Sequence, residues 1–175
     1  MAATSDFRTC ARCRSASPIH SLWATTVYGG AAKDLVHRLK FERAQAAAAV
    51  IAQSLAARLP ERQDWLVTFV PTAPTRRRQR GYDQAELIAR RLARQIGAPY
   101  APLLGRGGKL RQVGQGRAVR KEQMQGAFYA RRSADGRHVL VVDDVVTTGG
   151  TLEATAAVLR DAGAARVSAV VFAAA

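Results

Sequence analysis

A chain of 175 residues with 48% hydrophobic content is about one domain and can bury a core of its own. No apolar run is long enough to insert in a membrane, and the segment around Asp6 and Arg8 lacks the apolar stretch of a signal peptide, so the expectation is a cytoplasmic protein. The formal charge of +14 is nearly all arginine in an alanine-rich chain, a composition that GC-rich coding also produces; nucleic acid and small polyanions are both compatible with it, and it selects neither.

From the N-terminus, Cys10 and Cys13 form a single CxxC pair. A tetrahedral structural zinc site needs four ligands, so the pair is half of one; His20 and His37 could be invoked, but lone histidines of this kind are more often surface or packing residues. A redox pair would want a strand-to-helix setting, and a polar segment follows instead. Leu22 to Tyr28 reads as a short strand ending at Gly29 and Gly30. Ala31 to Phe41 carries Leu35, Val36 and Leu39 at helical spacing, and an alanine-rich helix runs from about Ala44 to Arg58, closing before Pro60. Residues 1–62 make an N-terminal segment, and 63–175 an α/β core.

Trp65 to Val70 is a strand that opens the main sheet, and Pro71 ends it. Thr72 to Gly81 then reads as an arginine-rich loop leaving the C-terminal end of that strand. Clustered arginines are usually a solvated charge run, but here Asp83 and Glu86 form a capping box that starts a helix to about Ile96, stopped by Gly97 and Pro99. The arginines Arg76, Arg77, Arg78 and Arg80 therefore sit in a strand-to-helix connection, where α/β sheets bind ligands and where forked guanidinium donors suit phosphate oxygens. Gly105 to Arg117 is poor in apolar residues and rich in glycine and cations, which predicts a mobile flap. A short helix at Ala118 to Met124 and a strand at Ala127 to Tyr129 return the chain to the sheet.

The run from Val139 to Thr151 is the most informative. Its aliphatic half predicts a strand buried on both faces, with Asp143 and Asp144 where the strand emerges. Thr147, Thr148, Gly149, Gly150 and Thr151 then offer backbone N–H groups at a helix N-terminus and three hydroxyls, which suits a phosphate monoester. Carboxylates repel phosphate but accept hydrogen bonds from ribose hydroxyls, so one sugar phosphate satisfies both halves. An Asp cap before a glycine turn is the plain alternative, and it leaves the paired carboxylates and three threonines unexplained. A helix from Gly150 to Asp161, a turn at Gly163 and a last strand from Val167 to Phe172 complete the core.

This run resembles the phosphoribosyl diphosphate (PRPP) signature of type I phosphoribosyltransferases. The ordered set of Pro71, Pro74, the arginine cluster, Arg80 to Leu87, the Gln112 to Phe128 flap and the acidic pair is similar to the competence protein F (ComF) family, as are Tyr28 to Gly30 and Leu39 to Phe41. The chain departs from that pattern at Tyr82 and Asp83, where the family usually has Phe-Asn, at Gln123, where it has Asn, and in holding two cysteines of a four-cysteine zinc ribbon. The resemblance implies an α/β parallel sheet of about five strands flanked by helices, with a small hood-like N-terminal segment and PRPP at the C-terminal sheet edge.

It further implies a magnesium-dependent transfer of phosphoribosyl to a nitrogenous base or amine. Asp143 and Asp144 would hold the ribose hydroxyls and magnesium, directly or through water; Thr147, Thr148, Gly149, Gly150 and Thr151 would hold the 5-phosphate. Thr72, Ala73, Arg76, Arg77, Arg78 and Arg80 would take the diphosphate, and Lys109 or Arg111 on the flap would close over it. DNA uptake or nucleotide salvage is the implied setting, with DNA or the uptake machinery as candidate partners and an oligomer compatible with the sequence. Three classes remain open: an active phosphoribosyltransferase, a PRPP-binding protein without turnover, and a basic domain that binds single-stranded nucleic acid.

Overall fold

The computed structural model describes residues 17–41, 45–61, 63–107 and 127–175. In chain order the elements are β1 (Ser21–Val27), α1 (Gly30–Phe41), α2 (Gln45–Ala56), β2 (Trp65–Phe69), α3 (Pro74–Arg80), α4 (Gln84–Gln95), β3 (Leu104–Arg106), β4 (Phe128–Ala130), β5 (His138–Val146), α5 (Gly150–Asp161) and β6 (Arg166–Ala174). Four strands form one parallel sheet in the order β1-β6-β5-β2. Tyr100 adds a single parallel bridge to Val67 beside β2, so the expected sheet of about five strands is four strands with a rudimentary fifth position. β1, the Leu22 to Tyr28 strand of the sequence, lies at the opposite edge and pairs with β6 from Ser21 to Val27.

The central strands explain themselves. Val139 to Val142 in β5 and Val167 to Ala173 in β6 are all buried, as strands covered on both faces require. Side chains alternate between the faces. Leu140 and Val142 pack with Phe69, Val36 and Leu39 of α1, Ile51 and Leu55 of α2, and Ile88 and Leu92 of α4. Val139 and Val141 pack on the other face with Leu152 and Leu159 of α5, and with Leu103, Leu104 and Phe128. The same alternation continues into the acidic pair, sending Asp144 toward the α1 side and Asp143 toward the α5 and β3 side.

Two expectations are corrected. The arginine segment is the helix α3 rather than a loop: Pro74 occupies its first turn with φ already helical, and Gly81 closes it in the left-handed region at φ +81°, its N–H bonded to the Arg77 carbonyl. The strand at Phe128 does not rejoin the main sheet but pairs antiparallel with β3. Its single inward residue, Phe128, is buried while Tyr129 and Ala130 are exposed, so it covers one face of the core and offers little to a doubly covered sheet. The ring of Tyr129 lies across Gly105, where an added Cβ would come within 2.3 Å of it, so a larger residue there would make this exposed ring swing aside. Cys10, Cys13, Lys109, Arg111 and the Ala118 to Met124 helix lie outside the described residues.

Candidate active site at the C-terminal edge of the sheet

A cavity of about 180 Å³ opens where the parallel strands end. α1 contributes Lys40, the exit of β2 contributes Val70 to Ala73, and α3 contributes Arg76 and Arg80. Gln84 and Ala85 enter from the start of α4, Arg106 from β3, Asp143 and Asp144 from β5, and Thr151 from α5. Four cations therefore face two carboxylates around a small polar hollow.

The two aspartates differ in their surroundings although they are adjacent. Asp143 Oδ1 accepts the backbone N–H of Asp144 at 2.8 Å. Burial, and then the negative charge of Asp144, push the Asp143 carboxyl well above its ordinary range, with that N–H and Lys40 opposing. Asp144 is held differently, its Oδ2 lying 2.6 Å from Lys40 Nζ. Among the described residues no cluster of three or more His, Cys, Asp or Glu side chains forms a ready metal cage. Two adjacent carboxylates at an anion pocket do fit magnesium, which keeps most of its waters and takes further ligands from substrate phosphates.

The helical form of α3 sorts its arginines. Residues four apart share a face, so Arg76 and Arg80 line the cavity, while Arg77 and Arg78 are exposed and lie outside its lining. Arg80 also lies over the ring of Phe41, 5.3 Å from its centroid. Arg106 approaches from the other side, over Phe128 at 5.0 Å and with Nη1 3.5 Å from the Pro71 carbonyl. Its charged form is disfavoured by burial and then by the like charge of Arg76, and Asp143 and Asp83 offset this only in part. An anion placed between Arg76 and Arg106 would relieve that repulsion.

Asp83 ties the β2 exit to α4. Its carboxylate accepts the Thr72 N–H at 2.7 Å and the Glu86 N–H at 3.4 Å, the latter being the expected helix cap, which contributes about 1 kcal/mol. Burial raises its pKa, and the bonds from Thr72 and Glu86 oppose that. The Thr72 hydroxyl lies 3.2 Å from both Asp83 Oδ1 and Gln84 Oε1. Thr72 thus reaches the cavity with its N–H already engaged. Gln84 is 2% exposed, lines the same cavity, and has an amide nitrogen without a partner among the described residues. Tyr82 donates its hydroxyl to the Leu39 carbonyl, pinning the last turn of α1 to the entry of α4.

At the exit of β5, Gly149 caps α5 at φ +78°, a conformation that costs any side-chain-bearing residue energy. Thr147 and Thr148 are exposed on the turn, Gly149 and Gly150 are partly covered, and Thr151 reaches the cavity. Lys40, Gln84 and Arg106 were not singled out from the sequence as site residues. A lone lysine, a glutamine and an arginine on three separate elements carry no motif, and no local signal joins them to the acidic pair.

The family model of the phosphoribosyl transferase domain matches residues 45–175. The DNA utilization protein YhgH of Salmonella typhi is 31% identical over 172 residues, covering 90% of this chain and 74% of that protein. Competence protein ComFC of Streptococcus pneumoniae is 27% identical over 141 residues, covering 81% of this chain and 62% of that protein. Among solved structures, the glutamine PRPP amidotransferase from B. subtilis complexed with ADP and GMP aligns with a TM-score of 0.52 at 22% identity, over 73% of this chain and 26% of that one, a likeness of fold. With the family model spanning three quarters of it, the chain belongs to the phosphoribosyl transferase domain family, on its competence protein F side.

Proposed function

We propose that this protein is a magnesium-dependent phosphoribosyltransferase that binds PRPP at the C-terminal sheet edge and transfers phosphoribosyl to a nitrogenous acceptor. The observation that carries this reading is the convergence of Lys40, Arg76, Arg80 and Arg106 on one small cavity with Asp143, Asp144 and Thr151. Few ligands other than a sugar bearing phosphates call for both sets at once. Asp143 and Asp144 accept the ribose hydroxyls, and the Thr147 to Thr151 turn holds the 5-phosphate with the help of roughly half a positive charge at the start of α5. Arg76, Arg80 and Arg106 take the diphosphate. In the reaction the acceptor nitrogen forms a bond to C1, the C1–O bond breaks, diphosphate leaves with the electron pair, and the nitrogen loses its proton.

Bound magnesium would supply charge neutralisation of the leaving diphosphate, held by Asp143 and Asp144. The protein's own groups do the rest. The carboxylates favour cationic character at C1, and the arginines favour the charge that accumulates on the leaving group. The acceptor side falls to the N-terminal segment, of which α1 reaches the cavity through Lys40. The names of the relatives support a setting in the use of DNA, and the exposed Arg77 and Arg78 offer phosphate contacts outside the cavity for such a role.

Calorimetric titration of PRPP with and without magnesium, beside ribose 5-phosphate, tests the ligand, and pyrophosphate release across a panel of bases and amines tests turnover. PRPP binding with release in the presence of one acceptor is expected. Binding with no release from any acceptor replaces the transferase by a PRPP-binding protein, and no binding removes the reading altogether.

A further inference from the structure

We propose that Lys40 is a ligand-positioning residue of this pocket, the built-in counter-ion of Asp144, which keeps a divalent cation off Asp144 until PRPP enters and then turns its charge to the diphosphate. The inference rests on the PRPP reading above for its second half only. Its first half stands on the ion pair. Nζ lies 2.6 Å from Asp144 Oδ2, and the two side chains are only 25% and 14% exposed, so water screens the pair poorly. Of the carboxylate oxygens at this pair, Asp144 Oδ2 is the one held by a cation, while Asp143 Oδ1 accepts a backbone N–H, so a metal that takes Asp144 Oδ2 competes with the lysine.

Lys40 is placed rather than draped. Val36 and Leu39 on the same helix are fully buried, and the Leu39 carbonyl accepts the Tyr82 hydroxyl, so the last turn of α1 is fixed against α4. Phe41, the next residue, carries Arg80 over its ring, which brings the end of α1 and the diphosphate side of α3 together. A polyanion entering this cavity meets Lys40 and Arg80 from neighbouring positions. Two carboxylates alone would repel it. Lys40 offsets one of them, and this makes the pocket receptive to an anion before any metal arrives.

The test uses Lys40→Met, Lys40→Arg and the Lys40→Met, Asp144→Asn double variant in the full chain, with Mn2+ as a spectroscopic stand-in for magnesium. Freed from its lysine, Asp144 in Lys40→Met should bind Mn2+ at least tenfold more tightly than in the wild type, measured by electron paramagnetic resonance without PRPP. The double variant should lose that gain, and Lys40→Arg should resemble the wild type. In PRPP titrations, Lys40→Met should lose at least tenfold more affinity without magnesium than with it, since a metal can replace the missing charge. A lysine with a merely structural role would lower both affinities by the same factor. Unchanged Mn2+ affinity in Lys40→Met overturns the proposal, as does an equal loss of PRPP affinity in both conditions. Should Lys40→Met fail to fold by circular dichroism, Lys40→Gln carries the same comparison. A wild type that binds no PRPP overturns the proposed function, and the Mn2+ titrations still decide whether Lys40 guards Asp144.

Discussion

The two ends of β5 carry titratable side chains in opposite conditions. At the entry, His138 Nε2 lies 3.0 Å from Ser168 Oγ, and the ring packs edge-on to Trp65 and His20 at 6.1 and 6.5 Å. Burial, then the charges of Arg166 and His20, bring its pKa down to about 4, so it is neutral at pH 7 and matched within the protein. At the exit, Asp143 and Asp144 are crowded by four cations, of which Lys40 alone forms an ion pair with the carboxylates among the described residues. The difference teaches where a strand can hold function. The entry end is closed by its own chain, and the exit end, where β2 and β5 diverge into α3 and α5, keeps charge that a ligand must answer.

The largest expected effect breaks the exit end. Asp143→Asn with Asp144→Asn should weaken PRPP binding by on the order of 100-fold, as the loss of two charged acceptors implies. Stability should move the other way. Because the Asp143 carboxyl is raised in the folded protein, the fold holds a proton that the unfolded chain releases, and stability falls as pH rises above the ordinary carboxylate value of 3.8. Asp143→Asn removes that cost, since its amide oxygen still accepts the Asp144 N–H, so urea denaturation at pH 7.5 should show a more stable variant with a smaller gain at pH 4. A destabilised Asn variant would place Asp143 in the structure's own support rather than in the ligand's.

A smaller effect sharpens the comparison within α3. Arg76→Ala and Arg80→Ala should each cost PRPP affinity roughly 10-fold to 100-fold, the range for one charged hydrogen-bonded partner, and Arg77→Ala and Arg78→Ala less than about threefold. Equal losses across all four, read by calorimetry, would mean that the segment acts as an undivided charge run.

That contrast also marks what could be read from the chain. The parallel core was legible because strands covered on both faces leave unbroken aliphatic runs, as at Val139 to Val142, and α4 because Asp83 caps a clean apolar period, although the Glu86 side chain turns to Arg90 and Tyr100 and leaves the capping box half formed. The place of the acidic pair was legible because it ends such a run, where a buried strand leaves the sheet. α3 was missed because its helix has no buried residue and so no apolar period; only Pro74 and Gly81 bracket it. The pairing of β4 with β3, and the arrival of Lys40, Gln84 and Arg106 at the cavity, are tertiary facts with no local signature.

Gly149→Ala tests the turn between the strand and α5. An added Cβ meets nothing within 4 Å, so the cost is conformational, about 1 kcal/mol or somewhat more for a left-handed residue at φ +78°. Thermal denaturation should register that loss, and Gly149→Asn a smaller one, because asparagine tolerates the left-handed region. Equal losses in Ala and Asn would mean that the cost does not come from the left-handed conformation alone.

The smallest effect belongs to the entry end, and it decides whether the two ends are independent. His138 has a folded value of about 4 against an ordinary 6.5, so between those values the unfolded chain takes up a proton that the folded protein refuses. Its contribution is therefore complete above pH 6.5 and is lost as pH falls toward 4. His138→Gln should flatten that part of the stability profile while leaving PRPP affinity at pH 7.5 within about twofold, since changes at distant sites add independently. A larger change in affinity would mean that β5 transmits its entry packing to the acidic pair, and the division between a closed end and an open one would then fail.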